Sequence, residues 1–224
     1  MPIYSGHDIA DTVRNVYLNR AGINDTAMLP VINTIYENLQ QQLIEHGCPI
    51  FKTTFAPIII IMGQITLTYG TGISILPDNF ASPLKIWERS VGESISKLAP
   101  MSEKDDLPLV DQDNTLKFWS WNEEAINFVG ATVNREIVIN GYKFLPLLEE
   151  SADHILISFA KDYVAVATAA QCALSISHNP TLAAALDTIA KEKLEYILSR
   201  YVKKDQSLSV RRRGYRRPSR GSLV

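Results

Sequence analysis

The chain has 224 residues, of which 46% are hydrophobic and 21% charged, with a formal net charge of −2 at neutral pH. This composition is typical of a globular protein with a sizeable core, and it excludes wholesale disorder and fibrous repeats. The charge is uneven, because residues 1–206 carry 16 Lys and Arg against 24 Asp and Glu, whereas residues 207–224 carry six arginines and no acid. A basic tail on an acidic body is expected to seek phosphates or an acidic surface on another molecule.

The beginning of the chain, MPIYSGHDIADTV, has neither a basic n-region nor an apolar h-region, so we expect no cleaved secretion signal. The longest apolar runs, residues 58–62 and 164–174, are too short to span a bilayer, and membrane insertion is not expected. The two cysteines, Cys48 and Cys172, are far apart in sequence, which fits reduced thiols in a cytosolic setting better than a disulfide framework.

The N-terminal part of the chain predicts two helices. Apolar residues spaced three or four apart predict a helix over residues 5–21. A second such pattern predicts a helix that begins after Asn24 or Asp25 as N-cap and continues to His46. The short link between them predicts an antiparallel helical hairpin over residues 1–49.

The next segment, residues 50–146, is rich in isoleucine, threonine and aromatic residues and is broken by Gly and Pro, which predicts strands. Alternating polarity favours antiparallel strands with one wet face at residues 84–89, 94–98, 116–121 and 132–142. An acidic loop, SEKDDLPLVDQDN, separates the second strand from the third. This segment is predicted to be a β-rich insertion.

Helical periodicity returns at Glu149 and predicts a third helix of about thirty residues, broken at Asn179 and Pro180. A fourth helix follows at Thr181, and together these two helices form the predicted C-terminal part of the core, residues 147–206. The predicted fold is therefore mainly α: a four-helix core with an antiparallel β insertion and an extended basic arm over residues 207–224.

Small side chains on the third helix let another helix approach closely. These residues are Ala165, Ala169 and Ala173, and the fourth helix offers an apolar stripe that includes Leu182 and Leu186. The pattern predicts tight helix or subunit packing, and the neighbour is either in the same chain or in the next subunit.

Known catalytic and metal-binding motifs were sought without a match. The sequence contains no G-x-S-x-G elbow, no H-E-x-x-H or paired C-x-x-C, and no P-loop. The stretch DQDNT has Leu116 where a calcium loop needs glycine. Glu123 and Glu124 are adjacent on a predicted strand, so they point to opposite faces and cannot flank one glycosidic bond. We expect no enzyme activity, no metal and no cofactor.

The order of parts resembles a known family of viral proteins. A helix hairpin and a β insertion are followed by FVGATVNREIVI (128–139), NPTLAAALDTIAKEKLEYIL (179–198) and SVRRRGYRRPSR (209–220). This order is similar, over nearly the whole chain, to the head-to-tail adaptor proteins of tailed bacteriophages, also called head-completion or portal-adaptor proteins.

The resemblance implies a non-enzymatic virion subunit, assembled in the host cytoplasm, whose ring of twelve copies lies below the portal and joins the capsid to the tail. Its expected partners are the portal protein, tail or tail-hub proteins, and further copies of itself, with packaged DNA passing non-specifically through the channel. The C-terminal segment is implied to dock on the portal through Arg211, Arg212, Arg213, Tyr215, Arg216, Arg217 and Arg220.

The same arm leaves two other interpretations open. Arginine binds phosphate as readily as carboxylate, so the chain is alternatively a nucleic-acid-binding protein that uses its tail. A solvated tail that only aids solubility is the third interpretation.

Overall fold

The structure, a computed structural model, describes residues 4–18, 23–70, 74–122 and 124–212, with side chains up to Tyr201. The chain divides into two compact units. The helical unit consists of Met1–Cys48 and Leu147–Val224, and the β unit consists of Pro49–Pro146.

The helical unit is built from four α-helices and two short strands among its described residues. The helices are α1 (Gly6–Thr12), α2 (Asp25–Glu45), α3 (Ala160–Ser175) and α4 (Pro180–Arg212), and a π-helical turn, Val13–Leu18, continues α1. Strands β1 (Tyr4–Ser5) and β11 (His154–Ile155) pair antiparallel.

Local chemistry accounts for where three helices begin. Ser5 and Asp8 form a reciprocal capping box on α1, and the Asn24 side chain accepts a hydrogen bond from the Thr26 N–H at the start of α2. At α4 the Asn179 side chain accepts from the Leu182 N–H, and Pro180 occupies the first turn, where its missing N–H costs nothing. The predicted start of α2 is thus confirmed.

The predicted third helix is wrong in its first eleven residues, because α3 begins only at Ala160. The Asp153 carboxylate accepts the backbone N–H groups of Glu149 and Glu150, at 2.8 Å each, which closes a turn where the helix was expected. The strand β11 follows, and Phe159 then takes a left-handed backbone conformation with φ of 66°. Acidic residues that resemble a helix start therefore serve a turn instead.

The helix α2 fastens this returning segment to the helical unit. The Asn33 amide donates to the Leu148 carbonyl and accepts from the Leu148 N–H, at 2.8 and 3.0 Å. The Tyr36 hydroxyl accepts from the Leu156 N–H, and burial raises the pKa of that phenol to about 12. The fully buried apolar residues of this unit include Ile9, Val13, Met28, Ile32, Leu39, Leu43, Val164 and Val166.

The β unit contains nine strands among its described residues. They are β2 (Lys52–Thr54), β3 (Ile58–Ile60), β4 (Thr66–Leu67), β5 (Phe80–Ser90), β6 (Ala99–Pro100), β7 (Ser102–Glu103), β8 (Phe118–Asn122), β9 (Ala125–Phe128) and β10 (Arg135–Lys143). One sheet has the order β2-β10-β5-β6, with β3 also paired to β10, and the other has the order β4-β9-β8-β7. Their apolar faces form a single core that includes Ile60, Phe80, Ile86, Trp119, Ile126, Ile137 and Ile139.

Two details of the predicted β insertion are wrong. Residues Ile95–Lys97 form a 3₁₀ turn rather than a strand, because the Ser94 side chain caps the Ser96 N–H. Strand β7 lies at the start of the stretch predicted as a loop, and it pairs parallel with β8, so the insertion is not purely antiparallel. The acidic loop is long enough for the crossover that a parallel pair requires.

The predicted fold class is also wrong. Helices make up 41% of the protein and strands 25%, in three sheets, so the fold is a mix with substantial sheet rather than a mainly helical four-helix core. The β unit is large enough to enclose its own core, and α1 has only seven residues, about two turns, before the π-helical turn. The first residues of the predicted extended arm, 207–212, belong to α4. Within the described residues, no helix has the length and apolarity needed to cross a membrane.

Candidate partner-binding site

The predicted arm is not among the residues from which the sites below are described. Its residues Arg211, Arg212, Arg213, Tyr215, Arg216, Arg217 and Arg220 lie outside the part of the chain whose side chains the structure describes. The candidate surfaces therefore come from residues of the helical unit up to Tyr201 and from the β unit.

The alanines singled out from the sequence lie inside the helical unit. Ala165, Ala169 and Ala173 are fully buried within the single chain, where α3 packs against α1, α2, α4 and the π-helical turn. On α4, Leu186 is buried and Leu182 is half-buried. Small residues at these positions let the surrounding backbones come close to α3.

A second set of small residues on α3 and α4 lines an open groove, which we call the alanine groove. Its volume is about 690 Å³. The helices α2, α3 and α4 line it, and its small residues are Ala167, Ala170, Ala183, Ala184 and Ala190. Leu174, also in the lining, exposes 57% of its surface. Apolar surface that stays open to water in this way is typical of protein-binding sites.

A separate cavity, the aromatic pocket, lies where α3 begins beside α4. Its volume is about 620 Å³, and its lining includes Tyr4, Phe159, Lys161, Lys193 and Tyr196. Asp162 and Glu192 also line this pocket. The pocket thus combines three aromatic rings with side chains of both charges.

Backbone strain holds one of these rings at the surface. Phe159 precedes α3 with φ of 66°, a region that costs a bulky residue about 1 to 3 kcal/mol, and its side chain forms no cap for the helix. Its ring remains 47% exposed instead of entering the core. Such strain is found at binding surfaces more often than elsewhere.

Cations stack on the pocket's rings. The Lys161 Nζ lies 4.4 Å from the centroid of the Tyr4 ring, and the Arg200 guanidinium carbon lies 4.0 Å from that of Phe159. Arg200 also donates to the Tyr196 hydroxyl at 3.0 Å. These contacts fix the positions of both cations at low entropic cost and leave their remaining N–H groups available to an acidic partner.

Residues 104–113 lie in the part of the acidic loop outside β7, and the name acidic loop is used for them from here on; they carry the most exposed of the described large apolar side chains. Leu109 has a relative exposure of 105%, and Val110 exposes 54%. Both ends of the loop are fastened, because the Lys104 N–H donates to the Trp119 carbonyl at 2.9 Å and the Asp113 carbonyl accepts from the Thr132 N–H at 2.8 Å. The structure therefore holds an apolar tip away from its own core.

Two ion-pair clusters are structural. In the helical unit, Asp25 binds His7, with 2.6 Å between its Oδ2 and the histidine Nδ1, and it also pairs with Arg14. The hydrogen bond to Asp25 is the main reason that the pKa of His7 lies above its usual value, and Asp11 adds to this effect. The same hydrogen bond is the main cause of the low pKa of Asp25.

In the β unit, strands β5 and β10 carry two largely buried pairs. Arg89 and Glu136 are 2.5 Å apart, and the Arg135 Nε donates to Glu88 at 2.6 Å. Neighbouring residues on a strand point to opposite faces, so one pair lies on each side of the sheet. The Arg89 guanidinium holds the pKa of Glu136 below its usual value.

The aromatic pocket and the exposure of Leu109 were not predicted from the sequence. Nothing in the stretch ISFAKDY indicates a left-handed residue at Phe159, which is neither glycine nor asparagine. The loop did carry a signal, because LPLV is an apolar run between acids that no strand or helix needs.

No family model matches this chain, and no curated protein matches it. Among the described residues, no three His, Cys, Asp or Glu side chains are grouped so as to hold a metal ion.

Proposed function

We propose that this chain is a non-enzymatic structural subunit of a tailed bacteriophage, which forms a ring that joins the capsid portal to the tail and continues the DNA channel. The observation that carries the proposal is the alanine groove. A groove floored by alanine and open to water, as at Ala170 and Leu174, is suited to receive a helix of a neighbouring copy.

The composition of the arm supports a partner above the ring. Six arginines without a single acid in residues 207–224 suit bidentate pairing with carboxylates on a portal protein. The first six residues of the arm, 207–212, form the last part of α4, whose 33 residues correspond to a rod of about 50 Å. An arm on such a rod can reach a partner that the helical unit itself does not touch.

The charge of the remaining chain supports a DNA channel. Residues 1–206 carry eight more acids than bases, and an acidic wall repels phosphates. Such a wall lets DNA slide past without being held, which a ring through which a genome passes requires.

The test is mass photometry of the purified chain mixed with the portal ring of the same virus. We expect a discrete complex of about a dozen copies per portal ring. Deletion of residues 207–224, which shortens α4 by its last six residues, is expected to abolish it while the far-UV circular dichroism of the chain otherwise keeps its helical shape. A variant with all six arginines changed to lysine keeps the charge and separates electrostatics from bidentate geometry.

The Ala170→Leu variant tests the groove in the same assay. Leucine at this position fills part of the groove, so we expect fewer copies on each portal ring. Absence of any complex with the wild-type chain at every ratio would contradict the proposed function.

The alternative function is nucleic-acid binding by the arm, which the six arginines favour independently. If all six contact phosphates of duplex DNA, log K should fall with log salt with a slope of about −5. Fluorescence anisotropy with unrelated duplexes, using the full chain and the chain without residues 207–224, measures this slope. No binding at low salt would exclude the alternative.

A further inference from the structure

The aromatic pocket is shaped for an apolar side chain with acidic neighbours. Tyr196 exposes 54% of its surface and Phe159 exposes 47%, so both rings present apolar area to an incoming group. Lys161 and Lys193 line the same pocket, and Arg200 is stacked on Phe159. These three cations outnumber the two acids of the lining, Asp162 and Glu192, so the pocket and its rim have a net charge of +1.

The acidic loop has the complementary chemistry. It presents Leu109, which has the largest exposed fraction of the large apolar side chains described, between acids on both sides. Asp105, Asp106 and Asp111 form no ion pair with any described residue, whereas Asp113 is paired with Lys117 at 2.5 Å. One lysine against four aspartates gives the loop a net charge of −3.

The alanine groove is a poorer acceptor for this loop. Lys191 is its cation, and it is already paired with Asp187 at 2.7 Å. An apolar side chain fits either cavity. Of the two, the aromatic pocket is the one whose cations are available to pair with the acids that flank Leu109.

We propose that the acidic loop of one copy inserts Leu109 into the aromatic pocket of a second copy, with the flanking aspartates facing Lys161, Lys193 and Arg200. This inference rests on the proposed ring, and it adds a second contact between neighbouring subunits beside the one at the alanine groove. Because one chain carries both halves, the contact is head-to-tail, and its repetition gives a closed ring when the rotation between copies closes.

The experiment uses full-length chains in sedimentation velocity over a concentration series at moderate salt, without the portal. The loop variant is Leu109→Lys, and the pocket variant is Lys193→Glu with Tyr196→Asp, all at exposed positions. Each variant alone is expected to remain monomeric where the wild type associates, with at least a tenfold weaker association constant. The controls are Ile95→Lys and Lys85→Glu, which change exposed residues that lie in neither cavity and outside the acidic loop, and they should associate as the wild type does.

Mixing the two variants provides the sharpest result. Only one intact loop and one intact pocket remain in each pair, so an equimolar mixture should form a one-to-one dimer and nothing larger. A wild-type chain that stays monomeric at its highest soluble concentration overturns the inference, as does a variant that associates like the wild type. If the wild-type chain binds the portal but its pocket variant still self-associates, the proposed function stands and only this contact is refuted. If the two variants form a mixed dimer but the wild-type chain does not bind the portal, the contact stands and the proposed function is refuted.

Discussion

Replacing Ala169 by leucine tests whether the alanine face of α3 is packed within the chain. Ala169 is fully buried, so three additional carbons must displace side chains or backbone of the neighbouring helices. Overpacking of this kind costs about 1 to 3 kcal/mol of the free energy of unfolding. In a protein of this size each kcal/mol lowers Tm by about 2 to 4 °C.

The adjacent residue provides the matched control. Ala170 lines the open groove, so Ala170→Leu should change the free energy of unfolding by less than about 0.5 kcal/mol. Urea unfolding followed by circular dichroism at 222 nm reports on the helices. All three tryptophans lie in the β unit, at Trp87, Trp119 and Trp121, and their fluorescence follows that unit separately. Equal midpoints for both variants would refute the assignment of Ala169 to the interior.

Three further predictions concern single contacts. In Gly141→Ala the new Cβ would lie 2.5 Å from a carbonyl oxygen of β5, so we expect the free energy of unfolding to fall by about 2 to 3 kcal/mol. A urea midpoint equal to that of the wild type, followed by tryptophan fluorescence, would contradict this expectation. Arg89 lowers the folded-state pKa of Glu136, so the stabilisation by this ion pair is present above the usual carboxyl pKa of 4.5 and is lost as the pH falls below that value. Glu136→Gln should therefore flatten the acid side of the curve of unfolding free energy against pH. An unchanged acid side would count against the pair. Asp25 raises the folded-state pKa of His7, so the stabilisation by this contact is present below pH 6.5 and is lost as the pH rises through the raised pKa. The His7→Gln variant identifies the histidine resonance in the NMR spectrum, and in the wild type that resonance should titrate with a midpoint above pH 6.5. A lower midpoint would refute the contact.

Local sequence determined the parts of this fold whose chemistry is local. The apolar spacing of α2 and its N-cap at Asn24 set that helix, and the break at Asn179 and Pro180 set the start of α4. Alternation predicted the long strands β5 and β10, although β10 is buried along nearly its whole length and has no wet face. These features need no distant partner to be recognised.

Tertiary contacts decided the remainder. Residues 149–159 carry acids typical of a helix start, yet the turn around Asp153 and the pairing of β11 with the N-terminal strand override that preference. The short strands around the core of the β unit have too few residues for a period, so only their partners define them.

The candidate site divides in the same way. The sequence by itself determined that an arginine-rich arm follows an acidic body and that small residues line α3, because composition and spacing are properties of the chain. Only the tertiary structure decided that Ala169 is buried while Ala170 faces a groove, and that Phe159 is held at the rim of a pocket. A helix has many possible neighbours and a strained residue has no sequence signature, so which surfaces stay open depends on packing between segments far apart in the chain.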